Sequence, residues 1–142
     1  MSMKFTLLGT GDAAQVPVYG CDCSVCTRAR ASTEFRRLPC SALLEIDGKK
    51  MLIDSGITDL AERFPAGSLS HILQTHYHAD HVQGLLHLRW GKGDTIPVTG
   101  PQDEQGFADL FKHSGILDFS HTLQHGETWQ WQGITVTALA LN

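Results

Sequence analysis

Between positions 75 and 81 the chain reads Thr-His-Tyr-His-Ala-Asp-His, directly after the apolar-centred stretch His71-Ile72-Leu73-Gln74. Four potential metal ligands, His76, His78, Asp80 and His81, therefore fall within six positions. In an extended backbone, side chains two residues apart share a side. His76 and His78 then face together, with Asp80 turned the same way. A helix starting near Asp80 rotates His81 off that row toward a neighbouring position. Imidazole and carboxylate together suit zinc, manganese or iron. Four such groups exceed what one simple site uses, and the spacing points to two metals about 3.5–4 Å apart. The fold must deliver this arrangement: a strand over His71–Thr75, a tight exit loop, and a helix running to about Leu88.

The rest of the chain reads as a frame for that loop. At 142 residues and 42% hydrophobic, it has enough material for one buried core. Lys4–Gly9 reads as a first strand. Ser41–Ile46 and Lys50–Asp54 form a hairpin through Asp47-Gly48, a dipeptide suited to a two-residue turn. A short helix is predicted over Cys26–Ala31, another over Asp59–Phe64 closed by Pro65, and a third from Asp103 to His113, where Phe107, Leu110 and Phe111 recur at helical spacing. Ile96–Gly100, Thr122–Gln124, Thr128–Trp131 and Ile134–Leu141 are β-like. The expected class is α/β, a sheet covered by helices.

Charge and cysteine usage narrow the setting. The net charge is −4 with histidine neutral, and no basic stripe appears, which disfavours a long nucleic acid as partner. No segment approaches the roughly 20 apolar residues of a membrane span, and the N-terminal apolar run is too short for a secretory signal. Cys21, Cys23 and Cys26 cluster, with Cys40 apart. This spacing suits thiolate ligands better than disulfides and fits a reducing cytoplasm. Structural zinc takes four ligands, and the cluster supplies three. Asp54 has two readings, as a buried carboxylate orienting the ligand loop or as a cap on the turn at Ser55-Gly56. His71 and His87 read as packing or surface residues. His113, His121 and His125 lie in a stretch able to approach the loop, and the three tryptophans read as core or subunit contacts.

Several motifs occur together: the His76–His81 loop, Cys21-Asp22-Cys23-Ser24-Val25-Cys26, Arg36-Arg37-Leu38-Pro39-Cys40-Ser41, Asp80-His81-Val82-Gln83-Gly84-Leu85, Leu88-Arg89-Trp90-Gly91 and Phe111-Lys112-His113. With them the chain resembles the metallo-β-lactamase superfamily. Within it, the chain is similar to the cyclic phosphodiesterases of the carbon–phosphorus lyase pathway, which open phosphoribosyl 1,2-cyclic phosphate. The resemblance implies an αββα sandwich, of which residues 1–142 are expected to be the N-terminal part. It implies that His76 and His78 hold one divalent metal, manganese or zinc, and that Asp80 and His81 hold the other. Asp80 and Asp54 become the candidate catalytic carboxylates. The loop at about 20–40 becomes a structural zinc site on Cys21, Cys23 and Cys26, completed by a histidine beyond these residues. Further metal ligands are expected beyond the strand at Ile134–Leu141, so the 142-residue chain alone is expected to bind the metal pair poorly and to hydrolyse little. The implied substrate is a small cyclic phosphate, with no membrane partner, nucleic acid disfavoured and a homodimer possible through an exposed strand edge. Rival readings are a tRNA 3′-processing endonuclease-like hydrolase, a lactonase, glyoxalase II or β-lactamase, and a non-catalytic zinc-binding fragment.

Overall fold

The computed structural model describes residues 1–103 and 106–141. Its elements run β1 (Met3–Gly9), α1 (Ser24–Ala31), β2 (Ser41–Ile46), β3 (Lys49–Ile53), α2 (Leu60–Arg63), β4 (His71–Leu73), α3 (Ala79–Val82), α4 (Leu85–Leu88), β5 (Ile96–Gly100), α5 (Ala108–Lys112), β6 (Leu117–Thr122), β7 (Thr128–Trp131) and β8 (Ile134–Thr137). Six strands form one sheet in the order β1-β2-β3-β4-β5-β6, and β7 pairs with β8 in a separate hairpin. The pairs β1–β2 and β2–β3 are antiparallel, whereas β3 to β6 run parallel.

Alternation along the strands builds two cores. Leu43, Leu52, Ile72 and Val98 face one side of the sheet, where they pack with Leu60 of α2, Leu85 of α4 and Leu110 of α5. Leu44, Ile46 and Met51 face the other side, under Trp131 of the β7–β8 hairpin, with Trp129, Ile53 and Leu73 around them. A period of two sends neighbouring side chains to opposite faces, so the same strands serve a helical layer on one side and a β layer on the other. Trp129 and Trp131 are thus core residues, while Trp90 is exposed, with the Arg89 guanidinium 4.7 Å above its ring.

The β2–β3 turn forms at Asp47-Gly48, where both residues take positive φ, 49° and 80°. Two-residue hairpins favour this mirror-image turn because its twist matches the strands.

Four sequence expectations need correction. The single helix expected to run to Leu88 is two short helices, α3 and α4. Between them the Gly84 amide donates to Ser55 O (2.8 Å), and a Cβ on Gly84 would stand 2.2 Å from Ile57 O. Backbone contact with the 55–57 segment therefore interrupts the helix. The helix expected from Asp103 is confined to Ala108–Lys112; Asp103 instead accepts a hydrogen bond from the Gly106 amide (2.8 Å), and positions 104–105 lie outside the described residues. The strand expected at Thr122–Gln124 is Leu117–Thr122, drawn into the sheet by parallel pairing with β5. β8 ends at Thr137 rather than Leu141, although the Ala138 amide still donates to Glu127 O (2.9 Å). Among the described residues, no helix is long and apolar enough to cross a membrane.

Candidate metal centre

Asp54 is the hub of the region. It follows β3, is buried, and takes a left-handed φ of 56°, a conformation that a non-glycine residue adopts at a cost. Its backbone is clamped on both sides: the Asp54 amide donates to Leu73 O (2.8 Å), and Ser41 Oγ donates to Asp54 O (2.8 Å). The carboxylate then reaches both ends of the ligand loop. Oδ1 accepts from the Thr75 amide (2.7 Å), while Oδ2 accepts from Thr75 Oγ1 (2.7 Å) and lies 2.8 Å from His81 Nδ1. A carboxylate on Nδ1 fixes the imidazole's orientation and leaves Nε2 as the outward ligand atom.

Gln74 and Tyr77 complete the clamp, and neither stood out in the sequence. Gln74 is buried at 1% exposure and donates from Nε2 to His81 O (2.8 Å), while its Oε1 accepts from Ser55 Oγ (2.6 Å). Tyr77 points opposite to its histidine neighbours, as alternation in an extended segment requires. Its ring packs edge-on against Phe111, 5.0 Å between centroids at 77°, and burial first, then Asp103, pushes the phenol up to about 12. No local pattern marks Gln74, since its partners come from other elements. Tyr77 was detectable as the inward residue of His-Tyr-His.

The loop sets the four expected ligands beside one another in pairs, while the ligand atoms that meet within 4.8 Å as a group of three here are those of Cys40, Asp54 and His81. His76 Nε2 lies 3.1 Å from His78 Nδ1, the His76 and His81 ring centroids are 4.1 Å apart, and His81 Nε2 is 3.4 Å from Asp80 Oδ2. Burial, followed by the neighbouring His81 and His78 rings, lowers the His76 pKa, which favours the neutral imidazole a metal needs. Nitrogens and carboxylate oxygens facing one another at these distances fit a divalent cation. Gly56 supports the arrangement from below: a Cβ there would stand 2.2 Å from Asp80 O and 2.6 Å from Cys40 O. Cys40 also reaches this centre, its Sγ 3.9 Å from Asp54 Oδ2. Burial, then Asp54 and Asp80, raise its pKa, so it stays a thiol. The sequence set Cys40 apart from the cysteine cluster and gave it no role at this centre.

The cysteine trio forms a second candidate centre. The ligand atoms of Cys21, Cys23 and Cys26 all lie within 4.8 Å of one another. Cys23 caps α1, its Sγ accepting from the Cys26 amide (3.4 Å). That backbone hydrogen bond, with help from the Cys21 and Cys26 thiols, pulls the Cys23 pKa from 9.0 to about 7. A thiolate accessible at neutral pH fits a soft cation such as zinc.

The remaining histidines go elsewhere. His71 Nε2 lies 2.6 Å from Thr99 Oγ1, and the same hydroxyl lies 2.7 Å from His121 Nδ1. His71 also stacks on Trp129 at 4.4 Å. His125 Nδ1 accepts from the Ala140 amide (2.9 Å), and His87 and His113 are exposed. Burial, then His121, depresses the His71 pKa from 6.5 to about 4. Folding therefore favours the neutral ring. Its contribution is complete above pH 6.5 and is lost as pH falls toward 4. Discounted for solvent screening, this is on the order of 2 kcal/mol. Melting measured across that window should fall with acidification, and His71→Gln should flatten the slope; an unchanged slope would remove His71 from the account.

A mixed sheet between a helical layer and a β layer, with a His/Asp loop at the end of a strand, defines a metal-binding α/β protein. Residues 37–90 match the metallo-beta-lactamase superfamily model, and the mixed α/β fold is that of the solved structures the chain resembles. Its sequence is 31% identical to Ribonuclease Z from Haloferax volcanii over 123 residues, covering 81% of this chain and 33% of the relative. Among solved structures, a diphosphatase from the PhnP family matches with a TM-score of 0.77 and 29% identity, covering 96% of this chain and 56% of that one. Zinc-bound PqqB from Methylobacterium extorquens matches in fold, with a TM-score of 0.73 at 20% identity over 99% of this chain and 56% of that one. The chain thus spans a third to just over half the length of these proteins.

Proposed function

We propose that a protein containing this chain is a metal-dependent phosphodiesterase acting on a small cyclic phosphate, with 5-phosphoribosyl 1,2-cyclic phosphate from phosphonate breakdown as the substrate. The supporting observation is the adjacency of His76 with His78 and of Asp80 with His81 on one loop, with His81 held by Asp54. A divalent cation bound there, manganese or zinc, would supply Lewis acidity, activating water and neutralising charge on the phosphate. His76 and His78 supply neighbouring imidazole nitrogens, and Asp80 and His81 supply a carboxylate and a third imidazole. Asp54 holds His81 in one orientation, and Tyr77 keeps the two preceding histidines aimed outward. Four side chains are few ligands for two cations, so the 142-residue chain by itself should hold a pair weakly. The cysteine trio would carry a structural zinc.

Ribonuclease Z activity is the second reading, favoured by the 31% identity to the Haloferax volcanii protein. Assaying the full-length protein on the cyclic ribose phosphate and on pre-tRNA separates the two. Turnover is expected on the former, and Asp80→Ala should abolish it; cleavage of pre-tRNA alone would favour the second reading. Undiminished cyclic phosphate hydrolysis by Asp80→Ala would exclude the assigned role of Asp80.

A further inference from the structure

The chain carries 11 Lys and Arg against 15 Asp and Glu, yet one cavity concentrates positive charge. It has a volume of about 600 Å³ and gathers Arg36, Arg37 and Arg63 over Leu7, Leu8 and Leu38. No Asp or Glu lines it, and none of its residues belongs to the His76–His81 loop or the cysteine trio. Arg36 and Arg37 precede β2, whereas Arg63 ends α2, so the tertiary fold rather than a basic run assembles the group.

The three side chains are tethered but not saturated. Arg36 Nε donates to Ala29 O (3.0 Å), and Arg37 donates through one terminal nitrogen to Arg36 O (3.1 Å). Arg63 Nε pairs with Asp59 at 2.8 Å. Each guanidinium has five N–H donors and remains charged at any physiological pH. These contacts therefore leave further donors on every fork. Asp59 offsets one of the three charges. The wall beneath them is fixed, since the Gly11 amide donates to Leu38 O (2.7 Å) and Val16 and Arg37 exchange two backbone hydrogen bonds (3.0 and 2.9 Å). A Cβ on Gly9 would stand 1.7 Å from Pro39 O, so the end of β1 lies directly on this segment.

Like charges held together on a rigid, partly apolar wall are stabilised by an anion, and planar guanidinium forks match phosphate oxygens in pairs. The volume falls within the range of small-molecule sites, roughly 300–1,000 Å³. We propose that this cavity binds a small diphosphate-bearing molecule, whose phosphates meet Arg36, Arg37 and Arg63.

Calorimetric titration of ADP into the full-length Asp80→Ala protein tests this with the histidine-loop centre disabled and the cysteine loop intact, so its outcome is independent of the phosphodiesterase reading. Saturable one-to-one binding is expected, absent with adenosine. It should weaken about tenfold in Arg37→Gln and in Arg63→Gln, with Arg63→Lys between wild type and Arg63→Gln. Arg63 is an exposed helix-end residue, so its variants keep the test open if Arg37→Gln folds poorly. Absence of saturable ADP binding, or binding untouched by either glutamine variant, would overturn the proposal. So would tighter, steeply salt-dependent binding of an oligouridylate, which would mark a nucleic-acid surface instead.

Discussion

Asp54→Ala is expected to destabilise the fold by about 3–5 kcal/mol, because the buried carboxylate is the common acceptor for three groups. Its removal strands the Thr75 amide, the Thr75 hydroxyl and His81 Nδ1, which lie 2.7, 2.7 and 2.8 Å from it. Both ends of the ligand loop are then released together. Metal affinity should fall about 10- to 100-fold, as it does when a group orienting a ligand histidine is lost. Backbone strain contributes separately, since alanine inherits the φ of 56°. Asp54→Gly relieves that strain but leaves the same donors unpaired, and should recover only about 1 kcal/mol. Denaturant unfolding of the two variants separates the terms. If Asp54→Ala unfolds within 1 kcal/mol of wild type, the clamp is not what holds the loop.

Tyr77→Ala should be the second most damaging change, at about 3–5 kcal/mol, the usual range for deleting a buried aromatic ring. The ring closes a cluster in which Phe111 and Phe119 are themselves 5.0 Å apart and nearly perpendicular. Gly100 leaves space for the phenol, since a Cβ there would lie 2.9 Å from Tyr77 Oη. Removing the anchor lets His76 and His78 turn freely, so metal affinity should drop along with stability. Tyr77→Phe keeps the ring contacts and should retain most of both. Wild-type metal affinity in a folded Tyr77→Ala protein would show that the loop positions its histidines without this anchor.

The parts legible in the sequence were those with local causes. The β2–β3 hairpin follows from alternation and the Asp47-Gly48 turn, and the outward pairing of His76 with His78 follows from the two-residue strand period. Asp54 was legible as a carboxylate at a strand end, though not as the acceptor for both ends of the loop. What was missed depends on remote partners. Helix periodicity runs unbroken past Gln83, and only contact with Ile57 and Ser55 divides α3 from α4. β6 is a strand because β5 offers it an edge. Gln74 carries no sequence motif, and the motif holding Arg36, Arg37 and Cys40 does not disclose their partners, which come from other elements.

The central claim is that His76, His78, Asp80 and His81 form a metal centre oriented by Asp54. Its most direct test is an anomalous difference map from crystals of the full-length protein grown with zinc or manganese. The account expects density against the His76–His78 pair and against Asp80 and His81 Nε2, with His81 Nδ1 still on Asp54. A fully loaded protein showing metal only at Cys21, Cys23 and Cys26, with none at the histidine loop, would contradict it.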